Sequence, residues 1–208
     1  MRIVVIGAAG GTGTQVVEQA VAAGHGVIAA VRRPDAYKGQ GRVVKADVLD
    51  AASVQAAVAG VDAVISTYGP ADLKHPGTLM SEGVTNIVRA CEAAGVKRFV
   101  FESGLMTSDG TGQSLGGRIG LVIVRRIYKH AMRDKRLAEE AMRASSLDYV
   151  IVRPVMLVDG PAKGTFVHGV DRRVNPMKKL AHADVAAFLL RCAQDPELAR
   201  TTQTIGEA

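Results

Sequence analysis

The chain has no tryptophan, and its aromatic residues together amount to only 4%. A buried core must therefore be filled by Val, Ile, Leu and Ala, the usual packing of a parallel sheet covered by helices. The same scarcity leaves few platforms on which nucleic-acid bases could stack. Only two cysteines occur, Cys91 and Cys192. Neither has metal-ligand spacing, so no metal is expected, and both fall in stretches that read as helix, where cysteine serves as a small apolar residue. A reducing, cytoplasmic compartment is the expectation. No apolar run is long enough to span a bilayer. The apolar start Met1–Ile6 runs straight into a glycine turn, which makes it a strand rather than a signal peptide. No membrane partner is expected.

What is present fits one globular body. The 208 residues suffice for one well-buried domain and are too few for two ordinary ones, so a single domain over 1–208 is expected. Hydrophobic residues make up 48% and charged residues 22%, a folded rather than a disordered balance. The net charge of +6 suits an anionic partner: a phosphorylated cofactor, an acidic substrate or nucleic acid. Charge alone does not choose among them.

Strand and helix patterns alternate along the chain. Ile3–Ile6 is a continuous apolar run, as in a strand buried on both faces. Gly7–Gly13 is a turn, Thr14–Ala23 a helix ended by Gly24, and Val27–Val31 the second strand. Val43–Ala46 is a short third strand, and Ala51–Ala59 a helix closed by Gly60. Ala63–Ser66, Arg98–Phe101 and Tyr149–Val152 read as further strands, the last halted by Pro154. Helices are expected over Gly77–Ala94, in one long basic stretch within Ile119–Ala144, and over Asp184–Gln194. This order predicts an α/β fold: a doubly wound parallel sheet with helices on both faces, the Rossmann arrangement. The Gly-rich loops Met106–Gly117 and Asp159–Val174 follow strands five and six, where ligands bind, and read as one small substrate lid.

The segment Gly7-Ala8-Ala9-Gly10-Gly11-Thr12-Gly13 follows the first strand and opens the first helix. Glycines allow the tight turn and the close approach of backbone N–H groups to a pyrophosphate, and the helix N-terminus adds partial positive charge. In this context the motif marks a dinucleotide site. The second strand ends in Val31-Arg32-Arg33-Pro34, where an NAD site usually carries an acid for the ribose hydroxyls. Two guanidinium groups suit a 2′-phosphate instead, which favours NADP(H) over NAD(H). The competing reading is a solvated basic loop. Asp47 and Val48, after the third strand, would lie beside the adenine; the alternative for an acid there is helix capping, which Asp50 or Ser53 could equally perform.

With those motifs the chain resembles the atypical short-chain dehydrogenase/reductases, in the NAD(P)H-binding, NmrA-like group, and within it the biliverdin reductase B/flavin reductase branch. The resemblance runs over nearly the whole length. It is carried by the glycine turn, Ala46-Asp47-Val48-Leu49-Asp50, Asp134-Lys135-Arg136-Leu137-Ala138-Glu139-Glu140, Leu147 to Pro154, Asp159 to Gly164 and Ala183-Asp184-Val185-Ala186. It implies that Ser66, Thr67, Tyr68 and Gly69 line the pyrophosphate and nicotinamide ribose. Ser103 and Gly104 would face the nicotinamide, and Pro154, Val155 and Met156 would pack on it.

Two departures stand out. Family members with the usual chemistry place a Tyr four residues before the Lys that matches Lys135; here that position is Ala131. Tyr128 lies nearly a turn earlier and is expected to be rotated away. The His of biliverdin-reducing relatives is replaced by Met156, with no ionisable substitute. Reducing an isolated ketone needs a positioned acid. A flavin, quinone or linear tetrapyrrole spreads the added charge, so proximity, orientation and an apolar slot suffice.

The expected activity is therefore NADPH-dependent hydride transfer to a planar small-molecule acceptor. Lys135 would orient the ribose, Ser103 would hydrogen-bond the acceptor, and Met106, Met156 and Leu157 would form the slot. The plain alternatives are core packing for the methionines and an exposed charge for Lys135. FMN fits as substrate or as second cofactor. The same residues leave room for a non-catalytic NADP(H) redox sensor, or for a ketoreductase or isomerase of natural-product biosynthesis. Nucleic-acid binding is disfavoured despite Arg125, Arg126, Lys129, Arg133 and Arg136, because no reading module is present and such a helix is usually a solvated face. The long helix leaves a homo-oligomer open.

Overall fold

The computed structural model describes residues 1–207. In chain order its elements are β1 (Arg2–Ile6), α1 (Gly11–Ala22), β2 (Gly26–Val31), β3 (Arg42–Lys45), α2 (Ala51–Val58), β4 (Ala63–Ser66), α3 (Leu79–Ala94) and β5 (Arg98–Glu102). There follow α4 (Leu115–Ile127), α5 (Lys129–Ala144), β6 (Asp148–Pro154), β7 (Leu157–Val158), β8 (Val167–Gly169), β9 (Leu180–Ala181), α6 (His182–Gln194) and β10 (Thr201–Gly206).

Eight strands form one sheet in the order β3-β2-β1-β4-β5-β6-β10-β8. Every pairing is parallel except β10 with β8. The order runs outward in both directions from β1 and β4. That reversal opens a crevice at the carboxyl ends of these strands, where a doubly wound sheet binds its ligand.

Strand alternation sorts the core onto two faces. Ile3 and Val5 of β1 pack with Val16 and Val17 of α1 and Val185 and Phe188 of α6. Val4 and Ile6 pack with Val54 of α2, Val84 and Ile87 of α3 and Met142 of α5. Both cysteines are buried and free, each on a helix. Asp50 caps α2 by accepting from the Ala52 and Ser53 N–H groups. Gly95, at φ 70°, ends α3.

The structure corrects the sequence reading in three places. The expected long basic helix is two helices, because Tyr128 leaves helical geometry with φ −108° and ψ 36°. The chain does not finish on a helix: β10 adds a seventh parallel strand beside β6. And Val167–Gly169, assigned to the lid, pairs with β10 at the sheet edge as β8. The two lid loops do meet, since the Gln113 side-chain amide donates to Arg172 O at 3.0 Å and accepts from Val174 N at 3.4 Å. Asp184 holds the second loop to α6 by accepting from the Lys163 and Gly164 N–H groups.

Candidate active site

The glycine turn is built for close approach. Gly7 has φ +89°, and a Cβ there would stand 2.7 Å from Tyr68 N; at Gly13 it would stand 2.1 Å from Gly7 O. Gly10 caps α1 without a side-chain hydrogen bond, and the first turn carries no acid. The first N–H groups of a helix lack intrahelical partners. Those of Gly11, Thr12 and Gly13 are therefore left as donors at the positive end of α1, where Gly11 and Thr12 line a cleft, which fits a pyrophosphate.

The neighbouring strand end is fixed in support. The Thr67 hydroxyl lies within hydrogen-bond reach of Ile6 O and Gly7 O. The Tyr68 phenol is packed towards α3, its oxygen 3.5 Å from Met80 O. Burial, and then the charge of Asp134, push its pKa far above the ordinary tyrosine value. Tyr68 thus offers a neutral ring and backbone to the site, while Gly69 has open space about it.

At the other end, Arg32 and Arg33 are exposed and form no ion pair among the described residues. Asp47 Oδ1 accepts from Leu49 N at 3.0 Å, and Asp50 does the capping of α2, so Asp47 is not the cap. Val48 is buried, and its carbonyl is held by Asn86 Nδ2 at 2.8 Å.

A cleft of about 760 Å³ runs from Gly11, Thr12, Thr67, Tyr68 and Gly69 past Glu102, Ser103 and Lys135. Its apolar wall includes Leu105, Met106, Leu121, Val124, Pro154, Val155, Met156 and Leu157. Met106 and Met156 are therefore cleft residues, not core packing. Lys135 is half-buried, and its Nζ donates to Ser103 O at 2.8 Å. Burial lowers the Lys135 pKa against the opposing pull of Glu102 and Glu139.

Ser103 does not have a free hydroxyl proton for an acceptor. Its Oγ donates to Glu139 Oε1 at 2.7 Å, as does Thr107 Oγ1. Ser103 can offer only a lone pair to a ligand. Burial alone would raise Glu139. The Arg153 guanidinium overrides it, with the Ser103 and Thr107 hydroxyls adding to the effect, and holds the carboxyl at a pKa of about 2. This network fixes the stretch after β5 onto α5.

Three residues of the cleft lining were missed or misplaced from the sequence: Glu102, His182 and Tyr128. Glu102, the last residue of β5, lines the cleft although it is 8% exposed. Burial pushes its pKa up to about 7, against the Thr12 hydrogen bond and the charge of Lys135. Thr12 Oγ1 donates to Glu102 Oε1 at 3.0 Å and lies 2.8 Å from His182 Nδ1. The site therefore does contain an ionisable acid. An acid closing the apolar run Phe99-Val100-Phe101 was the signal available. Tyr128 is not rotated away: the break between α4 and α5 leaves it half-buried in the cleft lining. Ala131, at the position of the expected tyrosine, is buried.

Comparison with known proteins agrees with this geometry. The NAD(P)H-binding family matches residues 7–196. The chain is 31% identical to an uncharacterized chloroplastic protein of Arabidopsis thaliana over 80% of its own length. It is 27% identical to the photosystem II assembly factor Ycf39 of Synechocystis sp. over 99% of its own length. It spans 62% of the length of each of these two relatives. Among solved structures it is similar to ChuY, an anaerobillin reductase from Escherichia coli O157:H7. The TM-score is 0.82 at 27% identity, covering 100% of this chain and 97% of that one. A matched family spanning the glycine turn, Lys135 and α6 settles the assignment: the chain belongs to the NAD(P)H-binding family of Rossmann-like proteins.

Proposed function

We propose that the chain is an NADP(H)-dependent reductase that delivers hydride to a planar conjugated acceptor, a flavin, a quinone or a related compound. The observation that carries this is the single cleft joining the glycine turn to an apolar wall, with Lys135 and Glu102 among its lining residues. Reduced nicotinamide, when bound, supplies the hydride. The turn Gly7–Gly13 with Thr67, Tyr68 and Gly69 holds the pyrophosphate side, and Arg32 and Arg33 take the 2′-phosphate. Asp47 and Val48 border the adenine. Lys135 orients the ribose, and Pro154, Val155 and Met156 with Ser103 bound the reacting end. FMN can enter as substrate or as a second cofactor.

A hydride and one proton complete a two-electron reduction. Glu102 in its carboxylic-acid form holds that proton at the cleft, a role for which a pKa near neutrality is suited. Thr12 and His182 connect it towards Asp159, whose Oδ1 lies 3.9 Å from His182 Nε2 at the exposed rim. Similarity to a protein described as an anaerobillin reductase supports a reductase.

One observation favours a second reading, a cofactor-sensing protein without turnover: buried Ala131 stands where the expected tyrosine would be. The test is loss of reduced-nicotinamide absorbance against FMN, FAD, small quinones and biliverdin, with NADH run beside NADPH. Turnover with NADPH preferred supports the reductase. Tight cofactor binding without turnover on any acceptor supports the sensor.

A further inference from the structure

Helix α4 carries two apolar faces. Gly117, Leu121, Val124 and Tyr128 line the cleft. Leu115, Ile119, Val122, Ile123 and Ile127 follow the i, i+4, i+7, i+8, i+12 spacing and are each 54–75% exposed. A stripe with that spacing is normally turned to a core. Here it faces solvent as a contiguous apolar surface, the kind that marks a docking site.

The charge around it is of one sign. From Leu115 to Arg133 there is no Asp or Glu, against Arg118, Arg125, Arg126, Lys129 and Arg133. Arg125, Lys129, Arg133 and Arg136 line a pocket of about 280 Å³ in which Glu140 is the sole acid. Arg125 and Lys129 also border a shallow hollow with Val122 and Arg126, so pocket and stripe are continuous. Arg125 Nε donates to Met106 O, while its Nη2 is buried with no hydrogen-bond partner among the described residues.

These features select the occupant. A second copy on this face would set Arg118, Arg126 and Lys129 of two chains together with no acid between them. Nucleic acid would satisfy the cations but offers nothing aliphatic to five branched side chains. An anionic phospholipid surface supplies both an acyl boundary and phosphates. We propose that α4 lies in the plane of such a surface, its outer stripe at the acyl boundary and a lipid phosphate in the Arg125–Lys129–Arg133–Arg136 pocket. The expectation of no membrane partner rested on the lack of a spanning run. Peripheral docking needs none, and among the described residues no helix is long and apolar enough to cross a membrane. Because the inner face of α4 lines the cleft, docking sets the cleft beside the lipid. This inference stands apart from the reductase reading and is tested without an acceptor.

The experiment is co-sedimentation with vesicles of phosphatidylcholine alone or mixed with phosphatidylglycerol. Binding is expected only to the mixed vesicles, weakened by high salt. Ile119→Asp/Ile123→Asp/Ile127→Asp, all outside the cleft lining, should reduce binding at least tenfold with an unchanged thermal melt. Arg133→Glu/Arg136→Glu should remove the preference for phosphatidylglycerol. Equal binding to both vesicles overturns the phosphate pocket. Binding of inorganic phosphate without vesicle binding overturns the lipid as its source. No vesicle binding, with a dimer by light scattering that the triple variant dissociates, overturns the proposal in favour of contact between copies.

Discussion

Thr12 Oγ1 stands 3.0 Å from Glu102 Oε1 and on its other side 2.8 Å from His182 Nδ1. A threonine hydroxyl has one proton to donate. When Glu102 is ionised, Thr12 donates to it, and His182 Nδ1–H donates to Thr12. When Glu102 is protonated, the carboxyl can donate to Thr12 and Thr12 to an unprotonated Nδ1. The state of the buried acid and the tautomer of the rim histidine are therefore coupled through one side chain.

Glu102→Gln keeps the volume and loses the proton. In the reductase reading, kcat falls ~10²- to 10⁴-fold, the usual span for one general acid. Wild-type activity should decline as pH rises through about 7, and the variant should lack that limb. A pH–rate profile of both proteins checks it.

Thr12→Val removes the hydrogen bond that lowers the Glu102 pKa, and Lys135→Ala removes the cation that does the same. Both should move the alkaline limb to higher pH. Lys135→Ala also frees Ser103 O from the Lys135 ammonium that donates to it, loosening the reacting end, with a loss on the order of 10²-fold in kcat/KM. The two profiles, overlaid, separate the electrostatic effect from the positioning effect.

Arg32→Ala and Arg33→Ala test cofactor choice. A hydrogen bond to a charged group contributes roughly 1.5–3 kcal/mol, so each should raise the KM for NADPH about 10- to 100-fold. The KM for NADH should hardly change. Parallel titrations with both cofactors decide this.

The two buried glutamates should act oppositely on stability. Glu102 has a folded pKa of about 7 against 4.5 when free, so the folded state binds the proton more tightly. Stability then falls as pH rises from the free value through the folded one, by roughly 3 kcal/mol. Glu102→Gln should melt higher than wild type above neutrality and alike in acid. Glu139 has a folded pKa of about 2, so its contribution is full above 4.5 and is lost as pH falls through the folded value. Glu139→Gln should cost on the order of 3 kcal/mol at neutral pH. Thermal melts across pH, free of cofactor, show both signs.

Much of the sheet was legible because its central strands are short apolar runs bounded by glycine, polar residues or proline. Strands β1, β2, β4, β5 and β6 need no longer-range information. Strand β10 was not legible: Thr201-Thr202-Gln203-Thr204 is polar, and pairing with β6 and β8 makes it a strand. The glycine turn was readable from local chemistry, since a Cβ at Gly7 or Gly13 meets backbone. Glu102 and His182 were not, because they meet through Thr12 across separations of 90 and 170 residues. Tyr128 was misjudged by assuming an unbroken helix.

The most direct measurement is NADPH oxidation by wild type and Glu102→Gln with one flavin and one quinone, at a pH below the Glu102 titration. Turnover by wild type on at least one of them and a large loss in the variant, with cofactor affinity kept, is the expected result. Tight NADPH binding with no turnover by either protein, or equal turnover by both, would contradict it.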